Sequence, residues 1–308
     1  MFSLAAVVHI LAALLLAPLV LGIINRTKAK FAGRRGQPLL QLYYDLFKLL
    51  HKGAVYSRTT TWVFVTGPLV GLAAVIVALL IVPLGRVPGL LAFPGDLLLF
   101  AYLLGLMRFA TVLAALDTGS SFEGLGASRE VFFAALAEPA ALLGLTAVAV
   151  QTQGLSLTDM YQSLGPEAFL ANAGPAWLLV AAALFVVFLA ENARVPVDDP
   201  NTHLELTMIH EVMVLDHGGP DFALIQYAAA LKLWVLGALV VGIVLPVRSE
   251  LWFVNLAVSL AGMAGMGVVT GVVESTMARF RLVRVPQFLV AACILSVLAL
   301  ILVLRYRT

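Results

Sequence analysis

Eight separate stretches of this sequence are each apolar over nearly the length a helix needs to cross a lipid bilayer, which leaves few other folds open. A spanning helix takes about 20 mostly apolar residues, because the hydrocarbon core is about 30 Å thick and a helix rises about 1.5 Å per residue. The stretches run roughly 3–24, 62–83, 96–116, 130–150, 174–190, 222–246, 251–273 and 286–304. The fifth is the shortest and the fourth contains Pro139. Composition agrees: 62% of the 308 residues are hydrophobic and 12% are charged, about half the charge of a soluble domain. The first stretch does not read as a secretory signal, since it lacks a basic leader and its positive charges, Arg26, Lys28 and Lys30, follow it. The expected fold is an all-α polytopic bundle of about eight transmembrane helices, forming one integral membrane domain over 1–308.

Lysine and arginine orient the spans. Of the 19, 13 fall in the odd-numbered loops 25–61, 117–129, 191–221 and 274–285. The even side and the C-terminal tail hold only Arg86, Arg248, Arg305 and Arg307, while Arg108 and Lys232 lie within spans. The positive-inside rule makes the odd loops cytoplasmic and puts both termini outside. The formal charge of +2 gives no basic face for nucleic acid. The single cysteine, Cys293, cannot supply the several thiolates of an iron–sulfur cluster.

The first cytoplasmic loop predicts a helix lying on the membrane. From Pro38 onward, Leu39, Leu42, Tyr43, Leu46, Phe47 and Leu50 share one face, while Gln41, Asp45, Lys48 and Lys52 recur on the other. Two readings fit it: a surface helix with no partner, or one whose polar face docks a soluble subunit. Loop 191–221 carries seven of the 17 acidic residues and three of the five histidines. Pro196 and Pro200 favour an extended start, and Thr202 with Glu205 reads as a capping box opening a helix to about Leu215, ended by Gly218 and Gly219. On that helix His203, Thr207 and His210 share a side, with Glu211 beside them. A zinc-protease reading fails, because the histidine after His210-Glu211 is His217, too far along. A metal site of His203, His210 and Asp216 is a weaker reading than a water-filled mouth or a charged contact surface, so no resident metal is expected.

Arg108, Glu138 and Lys232 fall inside spans, where each charge costs about 2.5–3.5 kcal/mol to insert. Such residues usually face an interior or a wet cavity and pair with one another. Pro139, directly after Glu138, frees the carbonyl of Ala135 and leaves room for water beside a carboxylate. Glu191 and Glu274 sit where their spans meet the cytoplasmic face. These charges fit either static ion pairs or a proton relay of buried carboxylates with Lys232 as a switchable cation. No nucleophile elbow, phosphate loop or dinucleotide fingerprint occurs; the glycine-rich run 119–126 lacks the GK[ST] ending. No complete catalytic site is expected in this chain.

Three runs carry a family resemblance: RRGQPLLQLYYDLFKLL (34–50), LDTGSSFEGLGASRE (116–130) and ESTMARFR (274–281). They resemble the membrane subunit of group 4 nickel–iron hydrogenases, which belongs with the quinone-site membrane subunit of respiratory complex I in the subunit 1 (H subunit) family. The resemblance implies eight spans with both termini outside, in a prokaryotic cytoplasmic (inner) membrane. It implies a coupling subunit that anchors hydrogenase-like large and small iron–sulfur subunits to antiporter-like membrane subunits. Iron–sulfur clusters, and a nickel–iron centre if there is one, would then sit in those partners; a quinone site is left open. By motif, Glu138 matches the family's buried glutamate, Arg194, Pro196 and Asp198 its R-x-P-[FV]-D element, Glu205-Leu206 its E-L, and Lys232 its intramembrane L-K.

The implied proton path is Glu138, Glu191, Asp198, Glu205, Glu211, Lys232 and Glu274, with Arg108. The implied docking face is Arg34, Arg35, Gln41, Asp45, Lys48, Arg129, Arg194, Asp199, His203 and His210. The sequence departs from the family at 201–206, reading NTHLEL where the family reads E-A-E-x-E-L; Glu211 and Asp216 lie further along to supply charge. Two other functions were weighed beside the coupling role. A passive anchor would use the buried charges for structure alone, and a secondary transporter would need paired broken helices in two repeats, of which only the Pro139 break is present.

Overall fold

Ser3 opens the first span. Its hydroxyl accepts the Ala6 N–H at 3.1 Å, and α1 (Leu4–Phe31) then runs through Pro18 to a last turn holding Lys28 and Lys30, where cations meet the negative end of the helix dipole. The computed structural model describes residues 3–165, 174–199, 208–247 and 249–307. After the short α2 (Gln41–Leu50) come α3 (Trp62–Ile81) and α4 (Asp96–Asp117). Next are α5 (Ser121–Thr152), α6 (Leu157–Ser163) and α7 (Gly174–Glu191). The chain closes with α8 (Gly219–Val244), α9 (Trp252–Thr276) and α10 (Val285–Arg307). Eight of these, all but α2 and α6, are long and apolar enough to cross a membrane. Among the described residues the β-type pairing is one isolated bridge, Leu84 with Val87.

The bundle is built around α8. Of its most apolar window 83% is buried, against 28% for α4; a helix apolar on all sides belongs at the centre. It touches α1, α2, α3, α7 and α9. Between helices, where lipid offers no hydrophobic drive, small residues and side-chain hydrogen bonds set the packing. Along the α5–α10 seam, Ser296 donates to the carbonyl of Ala140 at 2.7 Å, and the Cys293 thiol to that of Leu136 at 3.3 Å. Where α9 meets α1, a Cβ on Gly271 would stand 2.6 Å from Thr27 Cβ and 2.9 Å from the Ile24 carbonyl oxygen, so only glycine fits. At the end of the bundle rich in lysine and arginine, the basic end, Asp117 accepts the Thr61 N–H at 2.6 Å and its hydroxyl at 2.8 Å, tying the start of α3 to the end of α4.

Three expectations need correction. The fourth span starts at Ser121 rather than 130, so the loop expected over 117–129 shrinks to 118–120. Hydropathy began the span just after Arg129, but Arg129 donates to the Met208 carbonyl at 2.8 Å and Glu130 pairs with Arg108, so these charges do not interrupt the helix. The helix expected to run to Leu215 is, over its described part, only a 3-10 turn at Glu211–Val214; its capping box, Thr202 and Glu205, lies outside the described residues. Gly218 and Gly219 open α8 instead of ending a helix. The third correction concerns α2. Tyr44, Phe47 and Leu50 face outward, while Gln41 and Asp45, joined at 2.9 Å, are half-buried against the bundle. A Cβ on Gly22 would lie 2.1 Å from the Leu39 carbonyl oxygen, which shows how closely the approach to α2 crosses α1.

Candidate functional site

Arg108 comes from the middle of α4 and points into the bundle, 9% exposed. Its guanidinium reaches three carboxylates at once. Nε meets Glu130 Oε1 at 3.1 Å, Nη2 meets Glu191 Oε1 at 2.5 Å, and Nη1 pairs with Glu138. The planar fork is suited to this, because its donors point in fixed, separate directions. Glu191, the last residue of α7, places its other oxygen 2.7 Å from Lys232 Nζ of α8.

Toward the basic end the series continues. His210 Nε2 lies 3.0 Å from Glu130 Oε2 and its Nδ1 lies 3.3 Å from Asp198 Oδ2; Asp198 Oδ1 takes Arg279 Nη2 at 2.8 Å. Backbone N–H groups of Ile209 and His210 also donate to Asp198, at 3.2 and 3.1 Å. Burial alone pushes His210 down, but the Glu130 charge and the hydrogen bonds to Asp198 and Glu130 outweigh it and raise the imidazole to about 10. Burial likewise pushes Asp198 up, yet His210 and Arg279 hold it below the ordinary aspartate value. With His210 protonated, Arg108, Lys232, His210 and Arg279 balance Glu130, Glu138, Glu191 and Asp198.

This balance has a sign in pH. A group raised on folding stabilises fully below its unfolded value, here 6.5, and that contribution disappears as pH rises through about 10. The thermal unfolding midpoint of the detergent-solubilised protein should therefore fall progressively from pH 6.5 to 10. Replacing His210 with glutamine should flatten that limb; an equally steep fall in H210Q would assign the pH dependence elsewhere.

Two cavities meet at the cluster. A chamber of about 350 Å³ at the basic end is lined by Gln41, Asp45, Glu130, Arg194, His210, Glu211 and Lys232 among others. A lateral groove of about 250 Å³, lined by apolar residues such as Leu98, Tyr102 and Leu142, contains Glu138. Arg108 and Glu191 line both and form the wall between them.

The expected residues are thus only partly assembled. Arg108, Glu138, Glu191, Lys232, Asp198 and His210 stand in one series, and Glu211 lines the chamber. Glu138 departs from the expected burial: its side chain is 49% exposed on the flank of the bundle, because its position on α5 faces away from α7 and α10. Glu274 belongs to a separate group, with Lys28 at 2.7 Å and Arg194 at 3.4 Å. Of the docking set, Arg34, Arg35 and Lys48 are exposed. Arg194 is buried against Glu274, Arg129 is engaged with Met208, His210 is held in the series, and Gln41 and Asp45 face the chamber. Those five have partners within the chain or line the chamber, though only Arg194 is buried. Asp199 is half-buried, its N–H bonded to Asp198 at 2.9 Å; His203 and Glu205 lie outside the described residues. Sequence reasoning passed over Glu130, Arg279 and Lys28. Glu130 and Arg279 lie within the quoted motifs, but they look like loop charges until the spans are folded together.

The NADH dehydrogenase family model matches residues 4–305. The chain is similar to formate hydrogenlyase subunit 4 of Escherichia coli (strain K12), 30% identical over 277 residues that cover 88% of this chain and 89% of the relative. It is similar to hydrogenase-4 component C of the same strain, 31% identical over 288 residues covering 91% and 88%. Among solved structures it is similar in fold to a chain of the membrane-bound sulfane sulfur reductase, an archaeal respiratory membrane complex, with a TM-score of 0.81, 24% identity and coverage of 96% and 98%.

Proposed function

This chain belongs to the NADH dehydrogenase family, and from that premise we propose that it is the membrane coupling subunit of a multi-subunit, redox-driven ion pump. The observation that carries the reading is the unbroken series of ion pairs from Arg279–Asp198 at the basic end, through His210, Glu130 and Arg108, to Glu138 on the flank. Carboxylates held around a shared cation bind or release a proton when the local charge changes, and because Arg108 keeps its own protons, transfer between Glu130 and Glu138 passes through water beside it. A redox step in a soluble subunit docked at the basic end supplies such a change, and Glu138 hands the proton to a neighbouring membrane subunit. The basic end faces the cytoplasm, both termini face outward, and the host membrane is the prokaryotic cytoplasmic membrane.

Partners follow the relatives, two of which are named for a formate hydrogenlyase and a hydrogenase. The soluble arm is hydrogenase-like and carries the iron–sulfur clusters, and the membrane partners are antiporter-like. The exposed Arg34, Arg35 and Lys48 are the docking charges that remain free to meet it. A second reading of the chamber, favoured by its size and by convergent polar groups in apolar walls, is a pocket for a quinone headgroup.

The test is Glu138→Gln in the tagged protein, purified in mild detergent and then reconstituted. Iron–sulfur and antiporter-like subunits should co-purify as with the unaltered chain, and redox-driven ion uptake should fall by about a hundredfold, the lower range for losing one positioned proton-transfer group. Normal pumping in E138Q would favour the passive anchor. A lone chain that transports a solute by itself would sink the coupling reading.

A further inference from the structure

A second set of polar groups lies beside the chamber, next to a small cavity that shares part of its lining. His217, just before α8, is buried against the start of α3: its ring stacks on Phe64 with centroids 3.9 Å apart, and Nε2 lies 3.3 Å from the Phe64 carbonyl oxygen. A carbonyl can only accept, so Nε2 carries the hydrogen and Nδ1 is left as a bare acceptor. Among the described residues Nδ1 has no hydrogen-bond partner. His217 also lines a small cavity of about 20 Å³, shared with Thr111 of α4. That is room for one water. Thr111, Met107, Val214 and Ile225 line this cavity and the large chamber alike.

Acidic groups surround the outer side of the imidazole. Asp216 and Asp221 both act on it electrostatically. Asp221, in the first turn of α8, is hydrogen-bonded by Tyr56 from the segment before α3, and Glu123 of α5 accepts the Asp216 N–H at 3.0 Å. Burial holds His217 below the ordinary histidine value, so it is neutral and able to accept at neutral pH.

We propose that His217 and Thr111 form a second proton branch into the chamber, distinct from the His210–Glu130 branch and joined by a single water in the cavity they share. A proton from the basic end binds Nδ1, making an imidazolium whose charge Asp216 and Asp221 balance. The same proton leaves Nδ1 to that water, which gives one of its own to a chamber carboxylate, while the Nε2 hydrogen stays on the ring, donated to the Phe64 carbonyl. Thr111 donates its own hydrogen to the Met107 carbonyl at 3.0 Å, so its oxygen accepts from the water and positions it toward the chamber. His217 is the carrier and Thr111 a positioning residue. The inference rests on the coupling role proposed above.

The experiment measures redox-driven proton uptake by the assembled complex in proteoliposomes, for His217→Ala, Thr111→Val and, as reference, Glu130→Gln. Loss of one of two parallel branches should lower uptake by about half in H217A and T111V. Added imidazole should restore H217A and leave T111V unchanged, an outcome a merely structural histidine would not give. If H217A and T111V both pump normally while E130Q is impaired, the branch does not exist and the coupling role stands. If all three pump normally, the coupling role itself is wrong. If H217A pumps poorly and imidazole does nothing, His217 is structural. Should H217A fail to assemble, T111V decides, since normal uptake in it would remove the branch.

Discussion

Replacing Arg108 with leucine should deplete the protein from the membrane about tenfold or more. Removing one partner of a buried ion pair costs about 3–5 kcal/mol, because the other charge is left uncompensated in a low dielectric. Here one cation serves three carboxylates, two of them, Glu130 and Glu191, almost fully buried. Lys232 remains beside Glu191 and His210 beside Glu130, but neither pairs with Glu138, which stands half-exposed on the flank of the bundle. The check is the amount of protein in membranes by immunoblot, with the thermal midpoint of whatever can be purified. Arg108→Lys should lie between, since an ammonium keeps the charge but lacks the fork that meets three acceptors. Combining R108L with Glu191→Gln should recover part of the loss, and the recovered part measures the coupling directly. Full accumulation of R108L with an unchanged midpoint would mean the carboxylates are protonated and the cluster is not ionic.

How much of this was legible beforehand differs by length scale. The spans were legible because hydrocarbon demands long apolar runs, so α3, α4, α7 and α9 begin or end within a few residues of the apolar stretches. Arg108 and Lys232 could be singled out as costly, and their need for partners was clear. The identity of the partners was not. Glu130 is the first residue of the expected fourth span, so it reads as a charge at the membrane edge, and it becomes internal only because α5 extends back to Ser121, where Arg129 meets the Met208 carbonyl. A helical wheel separates the two faces of α2, but it cannot show that Gln41 and Asp45 of the polar face turn into a charged chamber of the bundle. Glu138 shows the reverse error, since an expensive charge was expected inside and stands half on the flank.

Glu130 is where the proton-transfer reading is most exposed to test. Among the described residues it is the carboxylate that touches both Arg108 and His210, so it joins the mid-span part of the series to the part at the basic end. Glutamine there keeps the shape and two hydrogen-bonding atoms but carries no charge and no transferable proton at neutral pH. Assembly should survive, because Arg108 retains Glu138 and Glu191 and His210 retains Asp198. Ion pumping should fall by about half while the His217 branch remains, and by about a hundredfold once His217→Ala is added, the lower range for loss of a positioned proton-transfer group, whereas electron transfer through the partner subunits should persist. A second signature follows from charge. Without the Glu130 carboxylate His210 loses the attraction that lifts it to about 10, so its proton leaves at lower pH, and any residual pumping should fail earlier on the alkaline side than in the unaltered complex. Glu274→Gln is the contrasting variant: its partners Lys28 and Arg194 form a group of their own, so it should change stability with little effect on that alkaline limb. Pumping in E130Q equal to the unaltered complex, with the same pH profile, would leave the series as a set of static ion pairs and return this chain to the role of an anchor.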